Sequence, residues 1–129
     1  MIARASILRA GAAALAGLFL IAAPAQGASV VLRGLDKTTG VAKDFVAPIG
    51  KKVRFHTLEV LARACVKHPP EETPEAAAYL EIFDTPVADA DKEAGPQHEI
   101  FSGWMYWSSP ALNPLEHPSY DIWVIDCKS

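Results

Sequence analysis

The chain has 129 residues, 12 Lys+Arg against 15 Asp+Glu, and a formal net charge of −3, with half its residues hydrophobic and two cysteines. That length allows one domain. The mildly acidic balance supplies no electrostatic footprint for nucleic acid or for anionic lipid surfaces.

Arg4 and Arg9 precede an uncharged apolar run, Ala10 to Ala23, and Ala23-Pro24-Ala25-Gln26-Gly27-Ala28 supplies small residues for a peptidase. That order reads as a cleavable secretory signal over residues 1–27, with a cut after Ala25 or after Gly27. A membrane anchor is the competing reading. A span needs about 20 apolar residues to cross roughly 30 Å of hydrocarbon, and this run is shorter and ends at Pro24. No cysteine lies near either cut, which argues against a lipid-modified terminus, and separated arginines do not support a twin-arginine route. The sequence therefore predicts an exported domain over 28–129. Without the leader it has ten basic and fifteen acidic residues, a net charge of −5.

Period-two patterning predicts strands through most of the remainder. Ser29–Leu35 and Val41–Val46 flank a turn at Lys37–Gly40, and Pro48-Ile49-Gly50 ends the second strand. Val53 and Phe55 alternate with Lys52 and Arg54. From Leu58 the apolar parity shifts, which requires a tight turn or bulge at His56-Thr57. Leu58, Val60, Ala62 and Ala64 then share one face, and Leu61, Arg63 and Cys65 the other. His68-Pro69-Pro70 stops this strand. Thr73-Pro74-Glu75 has the chemistry of a short helical start, followed by a strand at Tyr79–Phe83.

Asp84–Gln97, with two prolines and few large apolar groups, reads as a loop suited to insertion or cleavage. His98–Trp107 resumes as a strand, and Ser108–Pro114 suggests one short helical turn. Tyr120–Cys127 alternates apolar residues on both faces and reads as a strand buried on both sides. The sum is an all-β fold: a small antiparallel barrel or sandwich of about six or seven strands with one or two short helical turns.

Cys65 and Cys127 form an even pair in an exported chain, which predicts a structural disulfide. A redox pair would favour C-x-x-C spacing, and zinc would favour further nearby ligands; the sequence has neither pattern. Closing a loop of 62 positions stabilises by up to about 4 kcal/mol in the chain-entropy account.

The segments VLRGLDKTTG, VRFHTLEV…RAC, KHPPEETPEAAAYLEIFD and FSGWMYWSSPALNPLEHPSYDIWVIDC resemble the bacterial family called domain of unknown function 2155. The resemblance covers essentially the whole mature chain. It implies an exported protein of Gram-negative bacteria, and so a periplasmic location, and carries over no activity. It also implies a glycine at the position of His56, which makes His56 a local departure.

Several groups of residues could carry chemistry. Phe101, Trp104, Tyr106, Trp107, Tyr120 and Trp123 form an aromatic set that could present a platform for sugar rings or a partner's side chains. In a small domain such rings also serve as core, and Trp123 fits the core best. Trp104, Tyr106, Trp107 and His117 are the candidate ligand-binding residues within 103–118. The expected partner is an envelope protein or a glycan.

Ser108, Ser109, His117 and Asp121 supply the residue types of a hydrolase triad, the alternative reading, but no G-x-S-x-G elbow accompanies them. Asp89-x-Asp91-x-Glu93 has the opening spacing of a calcium loop, yet its glycine comes late at Gly95 and Ile100 occupies the closing position. His56, His68, His98 and His117 lack metal-ligand spacing. Neither a metal nor a cofactor is expected. His68-Pro69-Pro70-Glu71-Glu72 is a stiff acidic loop, either a docking motif or a solvated connector.

Overall fold

The computed structural model describes residues 25–87, 93 and 95–129. Most of the leader and the residues Asp89 and Asp91 of the calcium-like pattern lie outside them. The strands are β1 (Ala25–Gln26), β2 (Ser29–Asp36), β3 (Val41–Pro48), β4 (Lys52–Phe55), β5 (Leu58–Lys67), β6 (Ala76–Asp84), β7 (His98–Tyr106) and β8 (Tyr120–Lys128). All pairings are antiparallel. One sheet runs β1-β5-β6-β7, with β4 also paired to β5; the other runs β3-β2-β8. The two face each other as a sandwich.

Alternation builds the core between them. β6 buries Ala76, Ala78, Leu80 and Ile82 and turns Ala77, Tyr79 and Glu81 away. β2 contributes Val30 and Leu32, β5 Leu58, Val60 and Ala62, and β8 Ile122 and Val124. Gly34 on β2 is a position where a side chain has no room. A Cβ there would lie within 2.8 Å of three atoms of the Phe55 ring, which stacks on Phe45 at 5.4 Å and meets Tyr120 edge-on at 5.9 Å.

The parity change after β4 is a two-residue hairpin, with Phe55 opposite Leu58. His56 occupies the left-handed region at φ 52°. That conformation favours glycine, and among other residues histidine tolerates it better than branched ones. His56 adds a ring that stacks on Tyr120 at 5.1 Å.

Two bulges answer the question of how the cysteines meet. On β5, Ala62 pairs with Leu80 and Ala64 with Tyr79, so Arg63 is an extra residue. On β8, Asp126 pairs with Val31 and Val124 with Leu32, so Ile125 is extra. Each bulge lies two residues before a cysteine. An extra residue reverses the facing of all that follows, and so Cys65 and Cys127 both turn into the core. They are bonded with Cα atoms 5.8 Å apart, within the usual disulfide range, and they tie one sheet to the other.

The same bulges correct the parity read from sequence. Cys65 lies on the buried face rather than with Arg63, and β8 is buried on one face: Ile122, Val124 and Cys127 are core, whereas Trp123 and Ile125 are half-buried. Trp123 is therefore not the core residue its neighbours suggested.

The expected helical turns are absent among the described residues. At Thr73–Glu75 the carbonyls face His68, whose N–H donates to Glu75 O (3.0 Å) and whose Nδ1–H donates to Thr73 O (2.9 Å). The segment stays open and leads directly into β6. After β7 there are two successive turns, Ser109 N–H to Tyr106 O and Leu112 N–H to Ser109 O. Pro110 and Pro114 lack the N–H groups that would extend either into a helix.

Candidate functional site

Trp107 follows the last residue of β7, and its N–H donates to Ala76 O at 2.9 Å, which fixes it beside the start of β6. The residue nonetheless remains 46% exposed. It forms one wall of a groove of about 720 Å³, a volume in the range of small-ligand sites. Pro69, Pro70 and Pro74 of the β5–β6 connection also line it, and Ala76 and Ile125 contribute further apolar surface. Ile125 is the bulge residue of β8, so the irregularity that seats Cys127 also presents Ile125 to the groove.

The polar groups of the groove are mostly acidic. Glu75 accepts from the N–H groups of Ser108 (3.2 Å) and Ala76 (3.1 Å) and from the Ser108 hydroxyl. Burial opposes its ionisation, yet these hydrogen bonds hold the carboxyl below the usual carboxylate range. Asp126 pairs with Lys67 at 2.9 Å. The hydrogen bond from that lysine lowers the Asp126 carboxyl against a smaller opposing effect of burial, with the Cys127 N–H helping. Glu72 also lines the groove, 60% exposed, with the His68 ring 3.9 Å away.

The other candidate residues lie elsewhere. Trp104 and Tyr106 alternate with buried Met105 and so occupy the outer face of the β6–β7 pair. Trp104 meets Tyr79 edge-on at 5.6 Å, and Asn113 Nδ2 donates to its carbonyl at 3.0 Å. A second hollow, about 290 Å³, lies between Pro110, Ala111 and Pro114 and the β8 residues Asp121, Ile122 and Trp123. The region 103–118 thus contributes to three separate surfaces rather than one platform.

His117 lies at the other end of β6, whose nine residues span roughly 26 Å at ordinary strand rise. Its Nδ1 accepts the N–H groups of Ser119 (3.0 Å) and Tyr120 (3.2 Å), so its proton is on Nε2, which donates to Asp84 Oδ2 at 2.9 Å. Thr57 Oγ1–H donates to the other Asp84 oxygen at 2.8 Å. Burial opposes ionisation of Asp84, and the hydrogen bonds from His117 and Thr57 outweigh it, holding the carboxyl below its ordinary range. The result is a clasp that joins the β4–β5 hairpin, the end of β6 and the segment leading into β8.

This geometry dismantles the hydrolase triad. Ser108 is bonded to Glu75 at one end of β6, and His117 to Asp84 at the other. Asp121 accepts the N–H of its neighbour Ile122. Nucleophile, base and orienting acid must meet in one place, and here they do not. Among the described residues no three His, Cys, Asp or Glu side chains converge as a metal site. No helix among them is long and apolar enough to cross a membrane.

The acidic loop His68–Glu72 was the part of the groove visible in the sequence, together with Trp107. Glu75, Ile125 and the Lys67–Asp126 pair were missed. The partners of Glu75 and Lys67 come from distant strands, and Ile125 reaches the groove through a bulge that strict alternation does not predict.

Fold and site together define a small disulfide-linked β-sandwich with an apolar, acid-rimmed groove at one end. The chain matches over residues 30–127 the family described as "Uncharacterized protein conserved in bacteria (DUF2155)", and it belongs to that family. It is also similar to an uncharacterized protein of Rickettsia prowazekii (strain Madrid E), 26% identical over 93 residues, which are 72% of this chain and 56% of that protein. The chain thus spans little more than half the length of that relative. No solved structure matches it.

Proposed function

We propose that this protein is a non-enzymatic binding module of the bacterial cell envelope, exported by its N-terminal leader and engaging its partner through the Trp107 groove. The observation that carries this reading is the exposure of Trp107. A tryptophan buries up to about 250 Å² when it serves a core, yet this one stands 46% exposed on a concave wall lined with prolines and Ile125. It is not among the residues of the core cluster. Exposed apolar surface in a rimmed hollow marks a binding site more often than a structural one.

Amide-resolved NMR of the purified protein tests this against fractionated envelope extract. The reading expects shift changes confined to Lys67–Ala76, Trp107, Ile125 and Asp126. Changes centred on Trp104 and Tyr79, or none in any fraction, would overturn it. Fusing residues 1–27 to a reporter enzyme active only after oxidative folding tests export, which the reading expects to yield an active reporter.

A further inference from the structure

We propose that the groove takes an extended peptide segment of a partner protein, one that places an apolar side chain next to a lysine or arginine. This rests on the reading of the groove as a binding site and names its occupant. Three features of the groove select that chemistry.

The apolar requirement comes from Trp107, Ile125, Pro70 and Pro74, which offer an indole ring and three aliphatic side chains but few neutral hydrogen-bonding groups. A sugar ring needs several such groups around the aromatic face; a leucine- or proline-sized side chain does not. The charge requirement follows from the rim. Lys67 already pairs with Asp126, which leaves Glu72 and Glu75 as the carboxylates without a cationic side chain of comparable closeness. A cation seated there also gains from the net charge of the domain, which steers basic partners toward it.

The extended conformation follows from β8. Among the described residues it is the last strand of its sheet, with β2 on one side and no further strand on the other. Its residues Ile125 and Asp126 line the groove. A strand edge beside a pocket is the arrangement that extended peptides exploit, through main-chain bonds to the edge and alternate side chains into the pocket.

The test uses the full mature protein and three fluorescein-labelled hexapeptides with one shared apolar centre, flanked by lysine, glutamine or glutamate. An N-acetylglucosamine oligosaccharide serves as the glycan control. Anisotropy should show the lysine peptide binding at least about tenfold more tightly than the glutamate peptide, with the advantage shrinking in roughly 0.5 M salt. Glu72→Gln should reduce that preference several-fold, and Trp107→Ala should weaken all three peptides.

Equal affinity for lysine and glutamate peptides would overturn the proposal, as would no peptide binding. Oligosaccharide binding lost in Trp107→Ala would overturn the peptide occupant while leaving the groove as the binding site. Peptide binding untouched by Trp107→Ala, with that variant still folded, would overturn both.

Discussion

Removing the disulfide gives the sharpest quantitative expectation. Cys65 and Cys127 close a loop of 62 positions that contains all of β6 and β7. The chain-entropy relation for a loop of that length gives about 4 kcal/mol of stabilisation through the denatured state. For a domain of this size each kcal/mol moves the melting temperature by about 4–8 °C, so the double variant Cys65→Ala/Cys127→Ala should melt roughly 15–30 °C lower. Both cysteines are core residues, so the small voids left by truncation act in the same direction. Urea unfolding followed by circular dichroism separates the two contributions. An uncrosslinked denatured chain exposes more surface, so the denaturant slope should rise along with the loss of stability. A loss below about 1 kcal/mol with an unchanged slope would refute the reasoning, because it would mean that the bond constrains little in the unfolded chain.

Four further expectations are independent of that one. Gly34→Ala should destabilise by about 1–3 kcal/mol in chemical denaturation, since its Cβ would clash with the Phe55 ring. His56→Ile, a branched residue at φ 52°, should cost about 1–2 kcal/mol, whereas His56→Gly should stay near wild type because relief of backbone strain offsets the lost stacking. Because the Asp84 carboxyl is lowered on folding, its contribution is present above the ordinary carboxylate range and disappears as pH falls through the folded value. Asp84→Asn should therefore flatten stability against pH in the acid limb, measured by unfolding midpoints from about pH 2 to 7. Finally, a fluorophosphonate probe should leave Ser108 and Ser109 unlabelled; labelling abolished by Ser108→Ala would contradict the separation of Ser108 from His117.

The strands were legible in the sequence because one face of each sheet is buried and the other is wet, which imposes period two on β2, β5 and β6. The hairpin at His56-Thr57 announced itself by a parity change that only a tight connection could cause. What alternation could not convey was the bulge. A single extra residue at Arg63 or Ile125 leaves no compositional mark, yet it decides whether a cysteine faces the core or the solvent. The same limit explains the misreading of Trp123 as core. The helical turns failed for another reason: the Thr73 carbonyl and the Ser108 side chain have partners outside their own segments, in His68 and Glu75, and those contacts are invisible to local patterns. At the site, the proline-rich acidic loop and Trp107 were visible as composition. Their convergence with Ile125 was a property of the fold.

The most direct measurement of the central claim is site-specific photocrosslinking in living cells. A photoreactive amino acid replaces Trp107 in one strain and Val41, an exposed residue of β3, in another. The account predicts a discrete crosslinked species at position 107 that is absent at position 41. Equal crosslinking at both positions, or adducts only at 41, would contradict it.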